Sequence, residues 1–207
     1  MAMGTIVGVI EYGAGNLFSV ETMLSKIGAE FFVSSEPKEL NKATHLILPG
    51  VGSFNRAMDN LDAHGLSAML VDIVEKKRKK LLGICLGMQL LATYGQEGGE
   101  RKGLGLVGGT IAKLPPARDV RVPHIGWNSL HFGSMTPKSF SDISEGQTVY
   151  FNHSYYFELE EQIPHVYTEH GVHKIIAAFE KDTVLGLQFH PEKSQVVGQK
   201  ILSSFLS

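Results

Sequence analysis

Residues 81–89 read L-L-G-I-C-L-G-M-Q, and this stretch decides the fold. Leu81 to Ile84 form a short apolar run of the kind a sheet buries on both faces. Leu86, Met88 and Gln89 are good helix formers, so the chain turns from strand to helix at Cys85. The same change of pattern recurs upstream. Residues 5–10 (T-I-V-G-V-I) are a β-branched strand, followed by E-Y-G-A-G-N-L and a helical pattern through Ile27 that Gly28 ends. A second strand covers 31–33, and a third covers 45–48 and stops at P-G-V-G. Helices are expected from about Ser53 and from Leu66 to Lys80. Apolar strands alternating with helices specify a parallel sheet covered by helices on both faces.

Beyond Gln89 the pattern changes. Gly- and Pro-containing turns separate short strands around 104–113, 120–130, 148–151, 165–168, 174–179 and 183–189. A last helix covers roughly 193–206, with Val196, Val197, Ile201, Leu202, Phe205 and Leu206 at its apolar positions. No interior linker, repeat or low-complexity segment interrupts the chain. Residues 1–207 are therefore expected to form a single α/β domain with antiparallel additions.

Hydrophobic content of 43% and charged content of 19% are ordinary for a globular chain. A formal net charge of −2 gives no general pull toward nucleic acid or anionic membranes. Cys85 is the only cysteine in 207 residues, so no internal disulfide forms and a reducing compartment is expected. The start, M-A-M-G-T-I-V-G-V-I, lacks the basic segment and apolar length of a secretion signal. No run approaches the ~20 apolar residues of a membrane span. The expectation is a cytoplasmic protein. The run E-K-K-R-K-K at 75–80 has no aromatic interleaving, so it reads as a solvated helix end suited to the negative pole of the dipole, not as a nucleic-acid patch.

In open α/β sheets, ligands bind beyond the carboxyl ends of strands, where Cys85 lies. Gly83 and Gly87 stand at the offsets of a nucleophile elbow, with cysteine in place of serine, and are expected to keep bulk away from an exposed thiol. A helix N-terminus favours the thiolate. The competing reading is a buried cysteine used as a small hydrophobe. Far downstream, Q-F-H-P-E-K ends another apolar strand, which Pro191 stops. Glu192 could orient the imidazole of His190, and His190 could take the thiol proton. Its competing reading is an exposed turn histidine. L-P-G-V-G-S-F, at 48–54, follows a third strand end. Its glycines permit positive φ and let N–H groups face a ligand. Backbone amides around Gly50, Val51 and Gly52, with that of Leu86, could serve a developing oxyanion. Ser53 is a good N-cap for the next helix. No G-K-[ST] follows, which excludes a Walker loop, and G-A-G-N-L-F at 13–18 lacks the third glycine of a dinucleotide fingerprint.

Together, G-I-C-L-G-M-Q, P-G-V-G-S-F and Q-F-H-P-E resemble the nucleophile, oxyanion and His/Glu motifs of the class I, triad-type glutamine amidotransferases. E-Y-G-A-G-N-L, P-H-I-G-W-N at 123–128, H-S-Y-Y at 153–156 and Q-F-H-P-E-K-S at 188–194 extend the resemblance over nearly the whole chain. They narrow it to the branch of glutaminase subunits that serve imidazole glycerol phosphate synthases. The resemblance implies a flavodoxin-like three-layer sandwich. It implies Cys85 as nucleophile toward the side-chain amide of L-glutamine, His190 as general base and then acid, and Glu192 as the residue orienting it. Glutamine contacts carry over to Gly52, Gln89, Glu97, His153 and Ser154, with Gln96 and Glu100 close rivals of Glu97.

A cyclase subunit with a (β/α)₈ barrel is the implied partner, in a heterodimer that uses the ammonia in histidine biosynthesis. Pro123, Trp127, Asn128 and Tyr150 are the implied contact residues, although a lone Trp is often core. Neither a cofactor nor a metal is implied. Two positions depart from the pattern: Glu11 stands where the family usually has aspartate, and Asn152 where it usually has valine. The runner-up role is a paralogue feeding a synthase-like partner in surface amino-sugar synthesis. Two further alternatives are a catalytically silent binding module and a stand-alone γ-glutamyl hydrolase.

Overall fold

Successive residues of each early strand point to opposite faces of one sheet, and each face meets its own helices. The computed structural model describes residues 4–117 and 120–207; residues 1–3, on which part of the signal-segment reading rests, lie outside the described residues. The first half runs β1 (Ile6–Ile10), α1 (Leu17–Lys26), β2 (Glu30–Ser34), α2 (Pro37–Leu40), β3 (His45–Gly50), α3 (Phe54–Ala63), α4 (Leu66–Glu75), β4 (Lys80–Cys85) and α5 (Leu86–Leu90). The second half is strand-rich: β5 (Tyr94–Gly95), β6 (Arg101–Lys102), β7 (Gly109–Lys113), β8 (His124–Ser129), β9 (His131–Phe132), β10 (Thr148–His153), β11 (Tyr155–Leu159), β12 (His165–His170), β13 (His173–Lys181) and β14 (Val184–Leu187), closed by α6 (Gln195–Leu206).

The main sheet has the order β2-β1-β3-β4-β14-β13-β12-β9. Its first five strands are parallel, and β13, β12 and β9 add antiparallel pairs at one edge. Leu46, Leu48 and Leu81 face α3 and α4, packing with Phe54, Met58, Leu61, Leu70 and Ile73. Val7, Val9, Ile47, Leu82 and Ile84 face α1 and α6, packing with Val20, Leu24, Ile201, Leu202 and Phe205. Each such side chain contributes about 1.5–3 kcal/mol on burial, which is what fixes the strand register. This is the expected three-layer arrangement.

Two smaller sheets lie outside it, one of β10 and β8 and one in the order β11-β7-β5-β6. The chain passes from one to the other at Ser154, between β10 and β11.

Helix α4 ends at Glu75, five residues short of the expected Lys80. Arg78 takes a left-handed φ of 54°, and Lys80 already belongs to β4. The basic run is therefore a connection. Lys76 and Lys77 pair with Asp72, and the Lys79 ammonium donates to the carbonyls of Asn41 and Ala43. What matters for the site is register. Gly50 stands opposite Cys85, and Leu187 opposite Ile84, so the ends of β3, β4 and β14 lie side by side.

Candidate active site

Cys85 adopts φ 54° and ψ −109°, a conformation that costs a non-glycine residue about 1–3 kcal/mol. The strain persists because the backbone around it is pinned. A Cβ on Gly87 would lie 1.8 Å from the Leu48 carbonyl oxygen, and one on Gly83 would lie 2.6 Å from that of Gly87. The two glycines thus serve backbone-to-backbone approach, which corrects the expectation that they relieve crowding around the sulfur. The thiol is also less displayed than expected: Cys85 is only 6% exposed.

His190 follows β14, beside the end of β4. Its Nδ1–H donates to Glu192 Oε1 at 2.8 Å, and both side chains are buried. The His190 amide donates to the Tyr150 carbonyl at 2.9 Å. The Ser194 hydroxyl donates to the His190 carbonyl at 2.7 Å and accepts from the Tyr150 amide at 3.0 Å. The histidine is thereby tied to β10. Burial alone would lower the His190 pKa; the Cys85 sulfur and the Glu192 carboxylate overcome it and raise the value above the ordinary range. Nε2 is buried without an aligned hydrogen bond among the described residues, and the Cys85 sulfur is nonetheless the group that raises His190 most. Catalytic hydrogen bonds are often loose before substrate arrives.

In front of the sulfur lies a cleft of about 260 Å³ walled by Val51, Gly52, Cys85, Leu86, Gln89, Glu97, Pro123, Asn152, His153, Ser154 and Tyr155. A space of this size suits a small polar molecule. Every expected substrate contact (Gly52, Gln89, Glu97, His153, Ser154) is in that wall. Gln96 and Glu100 are not. His190 and Glu192 sit behind the sulfur. Gly50 is packed away from the cleft: a Cβ there would meet the Tyr12 hydroxyl at 2.7 Å and the Gly87 nitrogen at 2.9 Å. Tyr12 in turn donates to the Pro49 carbonyl at 2.8 Å, holding the strand just before the Val51 loop. Ser53 makes no side-chain capping bond. Glu97 does that job, its Oε2 accepting from the Phe54 amide at 2.7 Å. A wider cleft of about 580 Å³ near Met58, Val71 and Arg101 includes none of Cys85, His190 and Glu192 in its wall.

Strands β8 and β10 present two different faces. Ile125 and Trp127 are 58% and 48% exposed, opposite Asn152 and Tyr150, and the Trp127 and Tyr150 rings meet edge to face at 6.1 Å. Pro123 lies exposed at the head of β8. Asn128 points inward instead, donating to the Glu169 carbonyl at 2.7 Å.

On that inner face a directed chain forms. His153 Nδ1 contacts the Tyr155 carbonyl at 2.9 Å, and a carbonyl only accepts, so Nδ1 carries the proton. His153 Nε2 then accepts from His124 Nδ1 at 3.0 Å, and His124 Nε2 accepts from Asn128 at 3.3 Å. Both rings are neutral in this chain. Burial, then neighbouring imidazoles, lowers His124 to about 4 and His153 to about 3. Stability from these depressed values is present above the unfolded value near 6.5 and is lost as pH falls toward the folded ones. Between pH 6.5 and pH 5.5 these two groups should remove roughly 2 kcal/mol in urea melts, the acid sample being weaker, and His45, also lowered to about 4 by burial, adds to the loss; equal midpoints would contradict the neutral chain.

Sequence reasoning missed three residues of this site: Tyr12, His124 and Gln188. Gln188 carries a usable signal, since residues two apart on an extended segment share a face and His190 stands two residues on.

The family model described as "Glutamine amidotransferase class-I" matches residues 9–207. The chain is 41% identical over 201 residues to imidazole glycerol phosphate synthase subunit HisH 1 of Campylobacter jejuni, covering 97% of this chain and 99% of that one. It is 44% identical over 205 residues to subunit HisH of Bacillus subtilis, with 97% and 95% covered. To subunit HisH 2 of Methanococcus maripaludis it is 39% identical over 201 residues, with 97% and 98% covered. Among solved structures, one described as a glutamine amidotransferase superposes with a TM-score of 0.76 at 20% identity, covering 97% of this chain and 96% of that chain. A glutamine amidotransferase from Thermotoga maritima gives 0.66 at 20% identity, covering 97% and 82%. At such identities the structural likeness speaks for the fold alone.

Proposed function

This chain belongs to the class-I glutamine amidotransferase family, and from that premise we propose that it is a glutaminase subunit feeding ammonia to the cyclase subunit of imidazole glycerol phosphate synthase. The observation that carries the reading is the meeting of Cys85, the His190–Glu192 pair and the Gln89–Glu97–His153–Ser154 wall at the ends of neighbouring strands. In this reading residues 1–207 act as one amidotransferase domain.

The Cys85 thiol gives its proton to His190 as the sulfur attacks the side-chain amide carbon of L-glutamine. Charge moves to the carbonyl oxygen, which the Val51 and Leu86 amides stabilise. His190 gives its proton to the nitrogen as the carbon–nitrogen bond breaks, and ammonia leaves. The γ-glutamyl thioester is then attacked by water, which His190 deprotonates, and glutamate is released. Glu192 holds the ring in register throughout. Glu97 takes the substrate ammonium on Oε1, the oxygen with no protein partner among the described residues. No step calls for a metal or a cofactor. Ammonia passes to the (β/α)₈ cyclase, whose products are imidazole glycerol phosphate and aminoimidazole carboxamide ribotide in histidine biosynthesis. The complex is a cytoplasmic heterodimer.

The Ile125–Trp127–Tyr150 face is the docking surface in this account. It touches the chemistry through the Tyr150–His190 backbone bond. A buried Trp anchor is worth about 2 kcal/mol or more, so Trp127→Ala should weaken cyclase binding by more than about tenfold in a titration of the two proteins. Unchanged affinity would move the interface elsewhere. Asn152, exposed on that face in place of the family's valine, favours one second reading, a synthase-like partner in surface amino-sugar synthesis. Complementation of a histidine auxotroph lacking its glutaminase subunit decides between the two. Rescue supports the histidine role, and failure with active protein present supports the other.

A further inference from the structure

Gln188 is fully buried just past β14, and its orientation follows from one backbone atom. The Tyr155 carbonyl lies 2.9 Å from Gln89 Nε2. A carbonyl oxygen only accepts, so the nitrogen end of the Gln89 amide faces Tyr155. The second N–H of that nitrogen goes to Gln188 Oε1 at 3.0 Å. The oxygen of Gln188 is thereby committed to Gln89, and its nitrogen faces Cys85, 3.8 Å from Sγ. Besides the His190 imidazole, the sulfur has one more polar neighbour among the described residues, the Asn152 carbonyl, also 3.8 Å away, which can only accept. It has a partner when the sulfur is a thiol and none when it is a thiolate. Gln188 shows the reverse preference: its N–H bonds a sulfur lone pair, and a charged acceptor strengthens that bond.

We propose that Gln188 is a further catalytic residue, which donates to the Cys85 thiolate through Nε2 and fixes Gln89 through Oε1. One buried amide thereby links the substrate wall to the nucleophile. With both N–H groups of Gln89 committed, its own Oε1 is left for a donor on the substrate. This rests on the reading of Cys85 as the nucleophile.

The test compares the full-length protein with Gln188→Glu and Gln188→Met. As the chain has one cysteine, iodoacetamide alkylation followed against pH reads Cys85 alone. Glutamate keeps an acceptor for Gln89 but sets a negative charge beside the sulfur. Its alkylation midpoint should rise by about one pH unit or more, lowering the rate about tenfold on the acid side of the parental midpoint. With the cyclase present, its glutaminase kcat should fall while KM for glutamine stays near the parent value. Methionine removes donor and acceptor together, so the midpoint rises less and KM rises as well. If Gln188→Glu melts too low to assay, Gln188→Met carries the same test. Parental midpoints in the variants that fold would overturn the proposal, since a purely structural role lowers stability and leaves the pH profile alone. If parental Cys85 itself alkylates no faster than free cysteine at any pH, the nucleophile reading fails instead, and the two failures are told apart.

Discussion

Cys85→Ala is expected to reduce the glutaminase rate, measured with the cyclase and its nucleotide ligand present, by at least about a thousandfold. The size follows from what the substitution removes. Without the sulfur no thioester forms, and His190 has no group to exchange its proton with. Gln89, Glu97, His153 and Ser154 stay in place, so glutamine should still bind. The loss therefore falls on kcat, with little change in KM. Alanine leaves a small void at a site only 6% exposed, and the strained φ of 54° remains, so stability should fall by on the order of 1 kcal/mol, far too little to account for the lost rate. An unchanged coupled rate would remove Cys85 from the mechanism.

Gly87→Ala should be the most destabilising single methyl addition near the site, costing about 3 kcal/mol or more. The added Cβ would sit 1.8 Å from the Leu48 oxygen and 2.8 Å from its carbonyl carbon. Those are backbone atoms of the central strand β3, so no rotamer change can relieve the clash. Either α5 lifts off the sheet or β3 shifts. At about 2–4 °C per kcal/mol for a chain of this size, the melting temperature should drop by roughly 6–12 °C. Activity should fall with it, because moving α5 moves the Leu86 amide and the Cys85 elbow together. Gly28→Ala is the control: nothing lies within 4 Å of a Cβ there, and only the left-handed φ of 73° opposes it.

The parallel half of the fold is legible in the sequence because its strands are apolar on both faces and its helices are periodic. Beyond Gln89 the signal weakens. β5, β6 and β9 are two residues long and have no pattern to detect. β11 is hidden because Y-Y-F-E-L follows β10 with only Ser154 between, so two strands of different sheets read as one segment. The end of α4 is misplaced by sequence because K-K-R-K-K is compatible with a helix, and only the pull of β4 into the sheet ends it. The placing of Cys85, His190 and Glu192 at neighbouring strand ends is readable because apolar runs and the residues that stop them mark where strands finish. Glu97 in place of Ser53 as the cap of α3, Asn128 turned inward, and the roles of His124 and Gln188 are not. Each depends on which partner lies across a tertiary contact, and spacing along the chain does not encode that.

With the partner present, the Cys85 sulfur is expected to form a covalent bond to the side-chain amide carbon of glutamine. Incubating the chain and its cyclase with an electrophilic glutamine analogue, then mapping the modified peptide by mass spectrometry, tests it most directly. One label per chain is expected, on Cys85, formed faster with the cyclase than without it and suppressed by glutamine. Labelling at another residue, or none with the partner bound, would contradict it.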